Sequence, residues 1–336
     1  MKTRRTGPRG RHLSAESPLL GGPLPSEAGS EEPTRLRPEY DAGADVYRLP
    51  EPVQPVEPSP AELRDLSALV SGGDPERQVD DWGRSERVYR AMEPLLNFYY
   101  RYWFRVEVEG VEHVPATGGA LFASNHSGAM PPDGPMIVHA IRHEHPRPRP
   151  VYMLGEHWFK GYPGIGMLAN KMGLVAAHPA NAHRLLADEG RLVLVFPEGQ
   201  KGTRKLYWQR YKLRRFGRGG FVKTAIRAGV PIVPIAVMGG EEAMPIFAHV
   251  KPLQRLTGLI YFPINHAFPH FGLLAGAMYL PAKFRIKFLE PMRFDREGPD
   301  AADDVAFVQQ AADAIRTRIQ TELNEMLRER KSVWFG

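Results

Sequence analysis

The spacing of apolar residues changes twice along the chain, and each change marks a boundary. Residues 1–60 show neither the period of a strand nor that of a helix, and eleven prolines interrupt them. From Ser85 to Trp103 apolar side chains recur at helical spacing, which predicts an amphipathic helix capped by Ser85 and kinked at Pro94. Beyond residue 104 short apolar runs alternate with helical patterns. This alternation predicts an α/β fold with a mostly parallel central sheet flanked by helices.

The alternating region contains seven predicted strands and four predicted helices. The strands are expected at residues 104–108, 120–124, 150–154, 174–177, 192–196, 232–237 and 284–289. The helices are expected at residues 133–142, 180–188, 219–228 and 302–328. Because proline cannot donate to a sheet ladder, Pro231 and Pro234 place the strand at 232–237 near a sheet edge or a bulge.

These patterns divide the chain into three parts. Residues 1–60 are predicted to be a disordered, proline-rich tail, because such a stretch cannot bury enough apolar surface to offset the entropy of ordering it. Residues 61–104, with a short helix expected at 61–70, form a helical, membrane-proximal segment, and residues 105–330 form the α/β domain. No apolar run follows the basic start of the tail, so we predict no signal peptide.

Two uncommon stretches bear on contact with a membrane. Residues 98–104 are nearly all aromatic, with Arg101 and Arg105 among or beside them. This composition is typical of a membrane–water interface, but also of a helix with a bulky core face. Residues 256–282 contain no charged side chain other than histidine, yet prolines interrupt them, so we predict no transmembrane helix. That stretch is either an apolar loop at the interface or a buried irregular segment.

Composition narrows the possible function classes. The 336 residues carry a formal net charge of +6 and include no cysteine. Disulfide scaffolds, cysteine-based zinc or iron–sulfur sites and thiol nucleophiles are therefore excluded. A mean hydropathy of −0.36 excludes a multi-spanning membrane protein, and a pI of about 9.4 favours an anionic partner.

Two strand ends and a basic run carry candidate chemistry. His126 follows an apolar strand and Asp133 lies at the start of the next helix, where α/β proteins place functional groups. A histidine can take a proton near neutral pH, and a carboxylate on its other ring nitrogen would fix its tautomer. The strand end at 196–199 reads Phe-Pro-Glu-Gly and places a second carboxylate in a turn. Between Lys201 and Arg227 lie ten Lys and Arg and no acidic residue, a pattern that suits phosphate groups.

Together these blocks resemble the lysophospholipid and glycerolipid acyltransferases, the superfamily of bacterial 1-acylglycerol-3-phosphate acyltransferase, including its diacylglycerol-acyltransferase-like branch. That family carries Asn-His with a following Asp, then Phe-Pro-Glu-Gly, then Val-Pro-x-x-Pro. The matching residues are Asn125-His126, Asp133, Phe196-Pro197-Glu198-Gly199, and Val230-Pro231 with Pro234. The resemblance covers residues 107–293.

The resemblance implies transfer of a fatty acyl group from acyl-CoA, or acyl carrier protein, to a glycerolipid hydroxyl such as that of 1-acylglycerol-3-phosphate. His126 would be the general base, Asp133 would hold its ring, and no acyl-enzyme would form. Acyl-CoA enters as co-substrate, and neither a cofactor nor a metal is implied. The enzyme would be peripheral on the cytoplasmic face of a membrane.

The resemblance also implies residues that bind the substrates. The acceptor would contact Asn125, Arg204 and the Phe-Pro-Glu-Gly turn, which comprises Phe196, Pro197, Glu198 and Gly199. The phosphates of CoA or of lipid head groups would contact Lys201, Lys205 and Arg218 in the basic run.

Two departures from the family pattern stand out. Six residues separate His126 from Asp133, where the family has four. The family also has an arginine that grips the acceptor phosphate, whereas Ala177 and His178 occupy that region here. A neutral acceptor such as diacylglycerol or a long-chain alcohol is therefore an alternative, unless Arg204 replaces the arginine.

Other functions remain open from the sequence. The altered His–Asp spacing leaves a catalytically inactive, lipid-binding relative as one alternative. The basic run, with Tyr207, Trp208, Tyr211 and Phe216 interleaved, leaves a nucleic-acid-binding protein as another. The chain does not contain the Gly-x-Ser-x-Gly elbow of a serine hydrolase, which argues against that class of enzyme. The histidines at 139, 143 and 145 are expected in an exposed loop, and the carboxylates at 241 and 242 in a solvated turn.

Overall fold

A computed structural model of the protein describes residues 79–128, 130–156, 164–250, 252, 263–271, 278–294 and 297–336. The expected tail and the helix expected at 61–70 lie outside these ranges, as do parts of the uncharged stretch 256–282. No helix within the described ranges is long and apolar enough to cross a bilayer.

Short strands and helices alternate from residue 107 onward, as the apolar pattern predicts. The strands are β1 (Glu107–Glu109), β2 (Ala120–Ser124), β3 (Val151–Gly155), β4 (Leu174–Ala176), β5 (Leu192–Val195), β6 (Ile232–Met238), β7 (Ala248–His249), β8 (Pro263–Ile264) and β9 (Arg285–Phe288). The α-helices are α1 (Glu86–Asn97), α2 (Asp133–Glu144), α3 (Ile165–Lys171), α4 (Pro179–His183), α5 (Gln200–Thr203), α6 (Gly220–Ala228), α7 (Gly240–Ala243) and α8 (Val305–Glu329). Two π-helical segments, Phe98–Trp103 and Arg184–Asp188, continue α1 and α4.

Seven of the described strands form one sheet in the order β1-β9-β6-β2-β5-β3-β4, and β7 pairs with β8. Every pairing in the large sheet is parallel except that of β6 with β9. The central strands β2, β5 and β6 are near-continuous apolar runs, as expected where helices cover both faces of a sheet. The prediction of an α/β fold with a mostly parallel sheet is confirmed.

Alternate residues of β2 point into two separate apolar layers. Leu121 and Ala123 pack with α6 and α8, whereas Ala120 and Phe122 pack with α1 and α2. The predicted core stripe of the last helix is buried in the first layer and consists of Val308, Ala312, Ile315, Ile319 and Leu323. Because both faces of the sheet are sealed, its strand ends are the part left to form a site.

The strand that contains Pro234 is central in the sheet, so the expectation of an edge position is wrong. Its neighbours are β9 and β2, where Ala123 lies opposite Pro234. Leu289 N donates to Pro234 O at 2.9 Å, and the next paired residue is Met292, which exchanges two backbone hydrogen bonds with Ile232. One residue of β6 therefore faces two residues beyond β9, and the missing proline N–H falls beside this bulge.

Helix α1 begins where the sequence predicts. Ser85 Oγ accepts a hydrogen bond from a backbone N–H of the first turn at 3.4 Å, and Pro94 lies inside the helix. From Phe98 the backbone widens into a π-helix, and Arg105 follows with a φ of 46°, which is uncommon for a residue other than glycine. This extra turn delays the next strand, which begins only at Glu107.

Candidate functional site

The carboxyl ends of β2, β5 and β6 lie near one another, because β2 pairs in parallel with both other strands. The loop after β2 begins with Asn125 and His126, the turn after β5 is residues 196–199, and the turn after β6 begins at Gly239. Three blocks that are far apart in the sequence therefore meet at one edge of the sheet, the usual location of sites in such folds.

Asn125 is buried, and the backbone of β6 uses both ends of its side-chain amide. Nδ2 donates to Val237 O at 2.9 Å, and Oδ1 accepts from Val237 N at 2.8 Å. The side chain thereby extends the β2–β6 ladder past Ser124, its last paired residue on β2. In this structure the polar atoms of Asn125, which we expect to contact the acceptor, face β6 and hold the start of the His126 loop.

His126 and Asp133 are in contact despite the six residues between them. Nδ1 of His126 lies 3.0 Å from Oδ2 of Asp133. That oxygen also accepts from the backbone N and the hydroxyl of Ser127, at 3.0 and 3.4 Å, while Oδ1 accepts from Gly134 N at 2.8 Å. The two additional residues therefore lie in a loop that still closes on a fully buried carboxylate.

The imidazole of His126 has one nitrogen held inward and one left for a substrate. With Nδ1 directed at a carboxylate, the neutral ring carries its proton on Nδ1 and a lone pair on Nε2. No hydrogen bond from a described residue occupies Nε2, and the side chain is 16% exposed. The ring of Phe196 stacks on the imidazole, with centroids 4.0 Å apart and planes at 18°. The imidazole can take a proton from an approaching group, and the ring of Phe196 stabilises the imidazolium that results.

Glu198 is buried behind His126 instead of facing a substrate. Its carboxylate accepts from the backbone N of His126 at 3.2 Å and from the backbone N of Arg214 at 2.7 Å. It also lies 3.5 Å from Nζ of Lys205. In this structure the oxygens of Glu198, which we expect to contact the acceptor, hold the loop that carries the base.

The turn after β5 leads into a short helix that packs directly on His126. Pro197 and Gly199 lie half-buried in the turn, and Gly199 has a φ of 54°, in the left-handed region that favours glycine. At Gly202, on α5, a Cβ would lie 2.9 Å from Cβ of His126 and 3.0 Å from Cβ of Glu198. The helix backbone and the loop of the base are therefore in contact, with no room for a side chain.

Lys205, which we expect to contact phosphates, is a buried ion-pair partner in this structure. Its side chain is 1% exposed, and its Nζ lies 2.7 Å from Oε1 of Glu241. Burial raises the pKa of Glu241 to about 7, and the charge of Lys205 opposes that rise. Glu241 also accepts from Tyr211 N at 2.5 Å, and the Tyr211 hydroxyl donates to Glu242. The expectation of a solvated turn is wrong for both carboxylates, and no spacing in the sequence pairs them with Lys205 or Tyr211.

The basic run does not form one continuous charged surface. Lys223 pairs with Asp303 at 2.9 Å on the outside of α6. Of the residues expected to meet phosphates, Lys201 and Arg218 are exposed, and Arg204 lies half-buried directly after α5, the helix that packs on the base. Two of the interleaved aromatics, at positions 211 and 216, are buried and cannot stack on bases, which removes support for a nucleic-acid-binding face.

The histidines of α2 do not form an exposed loop. His139 is fully buried, with Nδ1 3.1 Å from the Tyr89 hydroxyl and Nε2 3.1 Å from Oδ1 of Asn97. Burial lowers its pKa to about 3, so the ring is neutral. No group of acidic or histidine side chains among the described residues could hold a metal ion.

Comparisons with known proteins show what this chain is similar to. The model of the acyltransferase family matches residues 105–238, which include His126, Asp133 and the turn after β5. An uncharacterized protein of Mycobacterium tuberculosis (strain H37Rv) is 42% identical over 286 residues, covering 83% of this chain and 79% of that protein. A Gallus gallus protein named "DGAT1/2-independent enzyme synthesizing storage lipids" is 27% identical over 210 residues, covering 62% of this chain and 59% of that protein. The crystal structure of the 1-acyl-sn-glycerophosphate acyltransferase PlsC from Thermotoga maritima aligns with a TM-score of 0.48 and 18% identity, covering 81% and 90% of the two chains.

Proposed function

Because the chain belongs to the glycerolipid acyltransferase family, we propose that it moves a fatty acyl group from an acyl thioester to a hydroxyl of a glycerolipid. The observation that carries this proposal is the 3.0 Å contact of His126 Nδ1 with Asp133, which leaves Nε2 for the acceptor. The alternative of an inactive relative rested on the altered spacing, and that spacing does not separate the two side chains.

The reaction uses His126 as a base and then as an acid. Nε2 takes the proton of the acceptor hydroxyl as its oxygen attacks the thioester carbonyl. The tetrahedral intermediate then collapses, the carbon–sulfur bond breaks, and the thiolate receives the proton from the imidazolium. Asp133 keeps the ring in the correct tautomer and balances its positive charge, while Phe196 stacks on its face.

No acyl-enzyme is part of this mechanism. The chain has no cysteine, and Ser127, which follows the base, is 1% exposed with its hydroxyl 3.4 Å from Asp133. A serine nucleophile would have to lie against Nε2 of the base, whereas Ser127 lies on the Asp133 side of the ring.

A neutral acceptor is the version of this function that we favour. Ala177 and His178, in the region where the family has its phosphate-binding arginine, are both exposed and offer no permanent cation. Lys205 is unavailable, because Glu241 and Glu198 bind it. The name of the Gallus gallus relative, an enzyme synthesizing storage lipids, agrees with a neutral product. A phosphate-bearing acceptor is the second candidate, since Arg204 follows the helix that packs on the base.

The donor and the membrane are further parts of the proposal. An acyl-CoA carries phosphates that Lys201 and Arg218, both exposed, can meet in solution. The acceptor is held in a bilayer, so we expect the enzyme to work as a peripheral protein at the cytoplasmic face of a membrane. The exposed side chains Phe98 and Tyr102, at the end of the first helix, support such a contact.

The test is acyl transfer from radiolabelled palmitoyl-CoA to a panel of acceptors by wild type, His126→Ala and a matched His183→Ala control. Diacylglycerol, monoacylglycerol, lysophosphatidate and lysophosphatidylcholine form the panel. We expect label in the neutral acceptors, loss of about a hundredfold or more in turnover for His126→Ala, and normal turnover for His183→Ala.

Each result of this assay bears on one part of the proposal. Near-normal turnover of a folded His126→Ala variant would contradict the mechanism. Label in lysophosphatidate alone would replace the neutral acceptor by a phosphate-bearing one, and Arg204→Gln should then raise KM for that acceptor. No transfer and no CoA release with any acceptor would overturn the proposed activity.

A further inference from the structure

A closed turn near the end of the sequence displays two large aromatic side chains to solvent. Ser332 and Gly336 exchange two backbone hydrogen bonds, at 3.0 and 3.1 Å, and Ser332 Oγ accepts from the backbone N of both Trp334 and Phe335. Trp334 is 42% exposed and Phe335 is 84% exposed. Hydrogen bonds order this turn, and it still exposes two aromatic rings. Such exposed apolar groups indicate a surface that contacts a bilayer or a partner.

Arg105 binds this turn to the end of the first helix. One of its guanidinium nitrogens donates to Trp334 O at 2.5 Å, and the other donates to Tyr102 O at 3.3 Å. The turn is also bound to the segment directly before β9, because Lys283 N donates to Val333 O at 2.9 Å. The two segments are distant in the sequence, and one guanidinium holds their carbonyl groups side by side.

We call the exposed apolar side chains of these two linked segments the aromatic face. It consists of Leu95, Phe98, Tyr102, Trp334 and Phe335.

Each segment of the aromatic face carries an exposed basic residue, Arg101 in the first and Lys331 in the second. Arg330 does not add to this charge, because its side chain is 8% exposed and pairs with Glu242 at 2.9 Å. Aromatic side chains with polar tips beside basic residues match the boundary between acyl chains and anionic head groups, where both kinds of group are solvated well. A protein partner would need an apolar pocket with acidic groups around it. An anionic bilayer offers an apolar interior and negatively charged head groups over its whole surface.

The aromatic face is connected to the loop that carries the base. The ring of Trp103 lies 5.9 Å from that of Phe98, between centroids. Trp103 Nε1 donates to Tyr279 O at 3.1 Å, and the Tyr279 hydroxyl donates to Met130 O at 2.9 Å. Met130 belongs to the loop between His126 and Asp133 and is 49% exposed. A bilayer that covers the aromatic face would therefore extend towards the entrance of the site.

We propose that the turn 332–336 is a membrane-contact element, which places Trp334 and Phe335 in the interface of an anionic bilayer as the second half of the aromatic face. The sequence points only to the first half, at residues 98–104. The inference rests on the proposed function in one respect, that the acceptor is a lipid.

The experiment is sedimentation of the full-length protein with phosphatidylcholine vesicles, with and without phosphatidylglycerol, in the absence of acyl donor. We expect the double variant Trp334→Ser/Phe335→Ser to lose about tenfold or more of the wild-type partition coefficient on the anionic vesicles. Arg105→Gly, which accepts the positive φ and removes the guanidinium, should lose a similar amount. Val305→Ser is the matched control, because Val305 is 80% exposed at the opposite end of the 25-residue helix α8.

The outcomes separate this inference from the proposed activity. Wild-type vesicle binding that the double variant retains would overturn it, as would a loss of the same size in Val305→Ser. A wild-type dimer that the double variant converts to monomer without change in vesicle binding would show that a second copy covers the surface. Transfer between water-soluble, short-chain substrates should stay unchanged in the double variant, so failure of the activity and failure of membrane contact are read from different measurements.

Discussion

The side-chain amide of Asn125 occupies the position of one more residue in the ladder between β2 and β6, with both hydrogen bonds made to the backbone of Val237, at 2.8 and 2.9 Å. This contact lies directly before His126. It fixes the direction in which the chain leaves the sheet, and so the place of the base relative to Asp133. An asparagine is needed because one side chain must donate and accept at the same time.

Replacement of Asn125 by aspartate tests this role. The carboxylate can accept from Val237 N but cannot donate to Val237 O, so two acceptors would face each other in a buried site. We expect Asn125→Asp to lower the free energy of unfolding by about 1–3 kcal/mol and to lower kcat with little change in KM. Urea unfolding and steady-state kinetics provide the two readouts. An increase in the KM for the acceptor, with no other change, would instead indicate that Asn125 contacts the acceptor.

Asp133 is expected to control the orientation of the base. In Asp133→Asn one half of the side chain becomes a donor. This donor then faces either the N–H of Gly134, or both the N–H of Ser127 and the inward proton of the imidazole. By analogy with other oriented histidines, kcat should fall by about two to four orders of magnitude. Asp303→Asn, on an exposed carboxylate, is the control for loss of charge. A fall of less than tenfold in kcat, with the variant folded, would mean that Asp133 only stabilises the loop.

Gly202 should tolerate no side chain, although nothing in its own backbone conformation requires glycine. A methyl group there would meet Cβ and the carbonyl oxygen of His126, both at 2.9 Å, and must push the loop of the base. We expect Gly202→Ala to reduce kcat at least about tenfold, by the cost of a small misplacement of a catalytic group. Gly220→Ala is the matched control, because no atom lies within 4 Å of a Cβ at that helical position. Helix propensity should make the control more stable by up to about 1 kcal/mol.

The fold was largely predictable, because it depends on local periodicity. Strands at the sheet centre and the buried stripe of α8 follow from runs and spacings that a reader can count. Side-chain contacts between distant segments could not be predicted from the sequence. Lys205 lies in a basic run, and only the fold brings it into contact with Glu241. The same limit applies to Glu198: its place at a strand end can be read from the sequence, whereas its hydrogen bond to the backbone of His126 cannot.

Lys205→Met should therefore behave as a core substitution, unlike Lys201→Met in the same run. It leaves Glu198 and Glu241 in a buried site without their cation, which costs about 3–5 kcal/mol when one partner of a buried pair is removed. Adding Glu241→Gln to Lys205→Met should recover part of the loss, since one uncompensated charge is then gone. Urea unfolding of the three variants measures both effects. Equal stability of the Lys205 and Lys201 variants would contradict the buried network.

The last prediction concerns acid and rests on two buried groups with opposite effects. Burial lowers the pKa of His139 to about 3, so the unfolded chain takes up this proton first as the pH falls below about 6.5. His139 therefore lowers the free energy of unfolding by up to about 1.4 kcal/mol for each pH unit between 6.5 and 3. The raised pKa of Glu241, about 7, has the reverse sign: the folded protein takes up that proton first, so acidification from pH 7 towards 4.5 stabilises it.

The two contributions overlap between about pH 6.5 and 4.5 and partly cancel in the wild type. His139→Gln, which keeps a donor and an acceptor for Tyr89 and Asn97, should remove the destabilising part and become relatively more stable as the pH falls. Glu241→Gln should remove the stabilising part and show a steeper acid loss than the wild type. Urea unfolding at pH 7, 6 and 5 separates these slopes. If all three proteins lose stability in parallel over this range, neither residue is the origin of the acid response, and the exposed carboxylates must account for it.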